Sequence, residues 1–170
     1  EWVKPNHLSV GRLMFAIPII IYRDVPWVGT VLAIIAYLSD GLDGMVARIR
    51  HQTSEEGALL DADMDKLFLF LCLWVGCTNR VILWVKVVVT VFDATSFVVH
   101  RYKYRHHIDT RANRWGGLKT WAHGFGVSFV FTQSPFFTRF VTPTFVIATL
   151  FALASLIFHV RDIFRHRHNA

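Results

Sequence analysis

The amino-acid sequence predicts an all-α fold, a polytopic membrane protein with six transmembrane helices and both termini in the cytoplasm. Of its 170 residues, 54% are hydrophobic and 15% are aromatic, whereas only 18% are charged. The mean hydropathy is +0.40. This balance is too apolar for an ordinary soluble domain of this length, and no linker or repeat divides the chain. We therefore expect a single membrane domain over residues 1–170.

Six apolar runs mark the candidate helices. An α-helix rises ~1.5 Å per residue, so about 20 residues cross the ~30 Å hydrocarbon core of a bilayer. The first run is short and contains Arg12, whereas the other five reach or approach the required length. The short polar breaks between runs allow only antiparallel neighbours. We place the runs at 8–22, 26–49, 57–77, 81–99, 118–137 and 141–160, with short breaks at 23–26 (RDVP), 78–80 (TNR) and 138–140 (TRF).

Lysine and arginine are distributed unequally between the two ends of the predicted helices. The three short breaks contain one arginine each, namely Arg23, Arg80 and Arg139. The opposite ends contain most of the others, including six between residues 101 and 119. By the positive-inside rule, the more basic side faces the cytoplasm. We expect both termini and the segment 39–66 on that side.

The segment 39–66 joins the second and third runs and contains seven acidic residues. Its polar and small residues follow the spacing of one helical stripe in each run: Asp40, Asp43, Gly44, Ala47 and Arg48 in the second, and Gly57, Asp61 and Asp65 in the third. If the two stripes face each other, four carboxylates converge. Such carboxylates would repel and raise each other's pKa, so a cation is expected among them. Oxygen-preferring Mg²⁺ or Mn²⁺ suits this set, and four acids suffice for two ions.

The other residues of these stripes indicate a ligand that contains phosphate. Gly44, Ala47 and Gly57 leave room for a nucleotide beside the backbone, although small residues also serve helix packing in membranes. Arg48 can give a fork of donors to a diphosphate. A carboxylate not fully used in metal binding could take a proton from an incoming hydroxyl. The pattern therefore predicts phosphoryl-type transfer from a nucleotide diphosphate with the help of metal ions.

The same residues resemble the signature of the CDP-alcohol phosphotransferase family. The pattern D-x2-D-G-x2-A-R-x8-G-x3-D-x3-D runs from Asp40 to Asp65 without a gap or mismatch. The resemblance implies a membrane enzyme, commonly a homodimer, that moves a phosphatidyl or related group from a CDP-linked donor to an alcohol and releases CMP. It implies that Asp65 is also the base that acts on the acceptor hydroxyl. The residues that it assigns to metal are Asp40, Asp43, Asp61 and Asp65, and those that it assigns to the CDP moiety are Gly44, Ala47, Arg48 and Gly57.

Three further stretches are similar to the bacterial phosphatidylglycerophosphate synthases of that family. They are PNHLSVGR at 5–12, RHQTSEEG at 50–57 and GGLKT at 116–120, in which Gly117 stands where those enzymes have a lysine. The resemblance implies CDP-diacylglycerol as donor, glycerol 3-phosphate as acceptor, and a bacterial inner membrane with the site facing the cytoplasm. The basic segment 101–119 suits an acceptor that bears a phosphate. The residues of this segment that we expect to bind the acceptor phosphate are Arg105, Arg114 and Lys119.

Several alternatives remain open at this point. Inositol phosphate or another alcohol could replace glycerol 3-phosphate, and serine ranks lower because it needs no basic cluster. The basic residues could instead set topology and bind anionic lipid heads. A divalent-cation transporter would also use intramembrane carboxylates. The acids, however, cluster at one membrane edge beside Arg48, which would oppose passage of cations, so an enzyme is favoured.

The remaining polar residues are expected to have supporting roles. Asp63 lies ~200° around the helix from Asp61, and we expect it on the solvated rim, away from the metals. Cys72 and Cys77 lie in an apolar run and should be packing residues. His100, His123 and His159 lie near the ends of spans and are expected at the membrane interface. Four other histidines are expected to be solvated in basic cytoplasmic segments, namely His106, His107, His166 and His168. Two charged residues share a face of the fourth run, and the sequence leaves open whether they pair or border a polar cavity: Lys86 and Asp93.

Overall fold

The structure is a computed structural model that describes residues 5–49, 55–77, 80–106, 108 and 114–169, with side chains outside 5–12, 40–49, 55–56, 58 and 167–169. Within these residues the chain forms six α-helices and no strand, as the sequence predicts. The helices are α1 (Pro5–Ile21), α2 (Val28–Ile49), α3 (Glu55–Leu71), α4 (Leu83–Arg105), α5 (Arg114–Phe131) and α6 (Pro135–Asn169). A π-helical turn (Cys72–Gly76) continues α3.

The boundary between α5 and α6 differs from the prediction. The expected break at 138–140 lies inside α6, because α5 already ends at Phe131 and α6 begins at Pro135. Gln133 has a φ of 54°, a left-handed conformation that interrupts a helix. Pro135 suits a first helical turn because its missing N–H leaves no donor unsatisfied there.

Three polar turns gather at one end of the bundle. Arg80 donates from Nη1 to the carbonyl oxygen of Arg23 at 2.6 Å and from Nη2 to Asp24 Oδ1 at 2.8 Å. Gln133 Nε2 donates to the same carbonyl of Arg23 at 3.2 Å. The turns that follow α1, the π-helical turn and α5 therefore lie together, as the antiparallel arrangement of neighbours requires.

Two helices of the described part are long and apolar enough to cross a membrane. They span Leu83–Arg105 and Pro135–His166, with only 22% and 28% of their apolar windows buried in the bundle. Large apolar side chains such as Trp84, Val91 and Leu150 are exposed on these helices. Extensive apolar surface of this kind marks a face that lipid or another protein covers.

The core of the bundle is built where glycines meet aromatic rings. Phe131 is fully buried, with the base of its side chain against Gly29 and the tip of its ring against Gly76. Gly126 meets Phe145 in the same way. Small residues let helix backbones approach closely, which is a general feature of helix packing in membranes. Cys72 and Cys77 are also fully buried and unbridged, so the prediction that they are packing residues is confirmed.

An ion pair joins α3 to α4. Arg101 Nη2 donates to Asp63 Oδ2 at 2.6 Å, and Lys66 Nζ lies 3.6 Å from Asp63 Oδ1. The Asp63 side chain is only 8% exposed. Its expected place on the solvated rim is therefore wrong, since two cations compensate the carboxylate for the loss of water. Asp63 does point away from the aspartate stripe, toward α4.

A second ion pair joins α4 to α6. Lys103, which is 1% exposed, donates to Asp162 Oδ2 at 3.1 Å and lies 3.2 Å from His159 Nδ1. The rings of His100 and His159 stack edge to face at 4.5 Å. His159 is thus buried at a helix contact, which corrects the expectation that it lies at the membrane interface.

We expect Gly29→Ala to destabilise the protein by about 1 to 3 kcal/mol, the usual cost of overpacking a core. A Cβ at this position would lie 2.8 Å from the Phe131 ring, and the tip of that ring already lies close to Gly76. Thermal unfolding in detergent measures the effect. Gly117→Ala is the matched control, because a Cβ there meets nothing within 4 Å. Equal unfolding midpoints for the two variants would contradict this packing.

We expect Asp63→Asn to cost about 1 to 3 kcal/mol, because it leaves buried polar groups with weaker partners. A double-mutant cycle with Arg101→Gln should give a coupling of about 0.5 to 3 kcal/mol. Unfolding of the four proteins under one condition provides this number. Strictly additive effects of the two substitutions would show that the pair between α3 and α4 contributes nothing.

Candidate active site

The signature occupies the last turns of α2 and the first turns of α3. α2 ends at Ile49 and α3 begins at Glu55, so its two halves lie on consecutive helices. Five signature residues lie in α2, in the part whose side chains the structure does not describe: Asp40, Asp43, Gly44, Ala47 and Arg48. Their convergence with the signature residues of α3 stays a prediction. Gly57, Asp61 and Asp65 are described, and they follow one stripe of α3 at intervals of one turn.

Asp65 lines a small cavity that side chains of four helices border. The cavity has a volume of about 20 Å³. Polar groups face it from α2, α3, α4 and α5, and apolar side chains of α3 complete it. The lining residues are Tyr37, Asp65, Lys66, Phe68, Leu69, Asp93, Lys119, Thr120 and His123.

An ion pair between α4 and α5 forms one wall of this cavity. Lys119 Nζ donates to Asp93 Oδ1 at 2.9 Å, and the two side chains are 14% and 10% exposed. Lys86 lies elsewhere, 5.9 Å from the centre of the Trp74 ring. The question that the sequence left open is thereby answered, since Asp93 borders a polar cavity and its ion-pair partner is Lys119.

The three candidates for the acceptor phosphate are not brought together. Lys119 lies in the cavity with Asp65. Arg105 is the last residue of α4 and Arg114 the first of α5, and both side chains are exposed. Neither arginine lines the cavity. The structure therefore separates one partly buried lysine from two arginines at the surface.

His123 is a site residue that the sequence reasoning missed. Its ring is 4% exposed, so the expectation of an interfacial ring is wrong. Its Nε2 is buried and has no hydrogen-bond partner among the described residues. His123 follows Lys119 by four residues on α5, and this spacing was the available signal that both face one side of the helix.

A larger, mostly apolar cleft adjoins the cavity between α3 and α4. Its volume is about 310 Å³. Lys66 and Asp93 line both spaces, so the charged groups stand where the polar cavity and the apolar cleft meet. Such a boundary between polar and apolar surface suits a molecule with a charged head and apolar chains.

The predicted metal ligands can be compared with the structure only in part. Among the described side chains, no three histidine, cysteine, aspartate or glutamate residues come together. Asp61 and Asp65 are one turn apart on the same stripe of α3, and the other two ligands belong to α2. An all-carboxylate donor set has the chemistry that Mg²⁺ and Mn²⁺ prefer.

Comparison with known proteins supports the family resemblance that the signature indicates. A model of the CDP-alcohol phosphatidyltransferase family matches residues 2–160. The chain is also similar to proteins named "Putative cardiolipin synthase" from Mycobacterium bovis and from two strains of Mycobacterium tuberculosis, each 39% identical over 70 residues. The similar region is 38% of this chain and 32% of each relative, so the chain spans about a third of the relatives' length.

The family model covers all six helices except the end of α6, and it includes the whole signature. The chain therefore belongs to the CDP-alcohol phosphatidyltransferase family.

Proposed function

We propose that this protein transfers the phosphatidyl group of CDP-diacylglycerol to a hydroxyl of glycerol 3-phosphate and releases CMP. The observation on which this proposal depends is the position of Asp65. The last acid of a complete family signature lines a small cavity together with Lys119, which is 14% exposed, and the buried His123. A base that removes a proton from an alcohol must lie within reach of that alcohol, and a neighbouring positive group stabilises the charge that develops.

Each signature residue has a role in this reaction. Arg48 gives donors to the diphosphate, and Gly44, Ala47 and Gly57 let the nucleotide approach α2 and α3. Two Mg²⁺ or Mn²⁺ ions, held by the four carboxylates, supply positive charge to the diphosphate when bound. The ligands are Asp40, Asp43, Asp61 and Asp65.

The reaction proceeds at the phosphorus of the phosphatidyl group. Asp65 takes the proton of the acceptor hydroxyl, and the hydroxyl oxygen forms a bond to the β-phosphorus of the donor. The bond between that phosphorus and the bridging oxygen breaks, and CMP leaves with the electron pair. Arg48 remains beside the phosphate oxygens and offsets their charge.

The acceptor is proposed from the distribution of basic residues. Arg105 and Arg114 are exposed at the facing ends of α4 and α5, where a soluble phosphate can reach them. Glycerol 3-phosphate supplies a hydroxyl and a phosphate in one small molecule, and inositol phosphate is the alternative of the same kind. The name of the mycobacterial relatives favours a second candidate, synthesis of cardiolipin, in which the alcohol is the glycerol of a phosphatidylglycerol.

The membrane arrangement is part of the same proposal. We place six transmembrane helices in a bacterial inner membrane, with both termini and the signature facing the cytoplasm, and two chains in a homodimer. Two helices that are long and apolar enough to cross a membrane support this arrangement. The three short turns that lie together at one end of the bundle support it as well. A divalent-cation transporter is disfavoured by the family to which the chain belongs.

We expect purified protein to release CMP from CDP-diacylglycerol when Mg²⁺ or Mn²⁺ and glycerol 3-phosphate are present. Chelation of the metal and Asp65→Asn should each reduce release to background. Parallel assays with inositol phosphate, phosphatidylglycerol and serine test the acceptor. If none of the four releases CMP although the donor binds, the acceptor assignment is wrong. If the donor does not bind either, the transporter becomes the better explanation.

We expect Asp61→Asn to abolish CMP release, whereas Asp63→Asn should largely retain it per folded molecule. Asp61 belongs to the proposed metal set, and Asp63 faces Arg101 on α4. The two substitutions are chemically identical and lie two residues apart, so each is the control for the other. Equal loss of turnover in the two variants, at equal amounts of folded protein, would refute the division of α3 into two faces.

A further inference from the structure

We propose that Asp93 is a positioning residue: its ion pair holds the Lys119 ammonium in a hydroxyl-sized seat beside Asp65, where the reacting hydroxyl of the acceptor binds. We call the cavity of about 20 Å³ that Asp65, Lys119 and His123 line the hydroxyl seat. This inference depends on the proposed transfer to an alcohol and gives it a residue outside the signature.

The size of the hydroxyl seat determines what it can hold. A polar cavity needs ~10 to 15 Å³ of such volume to hold one water molecule, so a space of about 20 Å³ admits one oxygen with its protons. The group of the acceptor that fits is therefore its hydroxyl, and the acceptor phosphate is left to the exposed arginines Arg105 and Arg114.

The lining of the hydroxyl seat suits an alcohol oxygen. Lys119 has three N–H donors, and one of them is given to Asp93 at 2.9 Å. His123 contributes a buried Nε2 without a hydrogen-bond partner among the described residues. A buried polar atom without a partner is costly, and a hydroxyl in the seat would remove that cost. Asp65, on the same wall as Lys66, is the proposed base.

Asp93 has no direct part in this chemistry, yet it fixes where the ammonium lies. A lysine side chain has four rotatable bonds, and ordering it costs conformational entropy. The Asp93 carboxylate, only 10% exposed, is a charged partner on the neighbouring helix that holds Nζ in one place. Without it, Lys119 can turn away from the seat, and the hydroxyl is held less well for attack.

The test compares acceptor kinetics of four variants with the wild type: Asp93→Asn, Asp93→Glu, Lys119→Met, and the charge swap Asp93→Lys with Lys119→Asp. Asp93→Asn and Lys119→Met should lower kcat by about 10-fold to 100-fold, with the KM for the acceptor within about threefold. Asp93→Glu, which keeps the charge, should retain more turnover than Asp93→Asn. If Asp93→Asn folds poorly, Asp93→Glu and Lys119→Met still test the proposal.

The charge swap separates positioning from simple structural support. It restores an ion pair between α4 and α5 but moves the ammonium to α4, so stability should recover while kcat stays low. Asp162→Asn is the matched control, because it removes the acidic partner of the buried Lys103 on α4, and neither of these two residues lines the seat. It should lower the unfolding temperature and leave kcat per folded molecule unchanged.

Three results would overturn the inference. Full recovery of kcat in the charge swap would make the pair purely structural. A large rise in the acceptor KM of Lys119→Met, with kcat unchanged, would place Lys119 on the acceptor phosphate instead. Wild-type kinetics of Asp93→Asn would leave Asp93 without a role. Failure of the proposed function is distinguishable from all three, since the wild-type protein itself would then release no CMP with any acceptor.

Discussion

The structure depends on one constraint: a charge buried among apolar helices must lie beside an opposite charge. Taking an ion out of water costs several kcal/mol, and only a close partner compensates for that loss. α4 satisfies this constraint toward three different helices. Three of its charged residues pair with one residue each of α5, α3 and α6: Asp93 with Lys119, Arg101 with Asp63, and Lys103 with Asp162. α4 contains no signature residue, yet these pairs connect it to α3 and α5, which border the cavity with it.

The sequence predicted the parts of the site that follow from local spacing. Positions four residues apart share a helix face whatever the rest of the fold does, so the stripe of Asp61 and Asp65 follows from the spacing of the two residues alone. The same holds for the all-α class, since long apolar runs admit few other folds. The direction of Asp63 was also correct, because two residues along a helix correspond to a turn of about 200°.

Features that depend on which helices become neighbours could not be predicted from one sequence. Asp93 and Lys119 are 26 residues apart, and nothing in their spacing indicates that they meet. Asp63 was expected in solvent because its partner Arg101 lies 38 residues away. The start of α6 was misplaced for a different reason. The apolar run continues across Gln133, and a single residue with positive φ leaves little trace in hydropathy.

The complete burial of both cysteines makes this protein convenient for chemical labelling. Cys72 and Cys77 are the only two cysteines of the chain, and each is 0% exposed. Buried structural thiols of this kind are inert toward reagents that attack the thiolate. One cysteine introduced at Gly117, where the surroundings are open, is therefore the single reactive thiol. A fluorophore or spin label attached there reports on α5, the helix that contains Lys119 and His123, without any change to the native core.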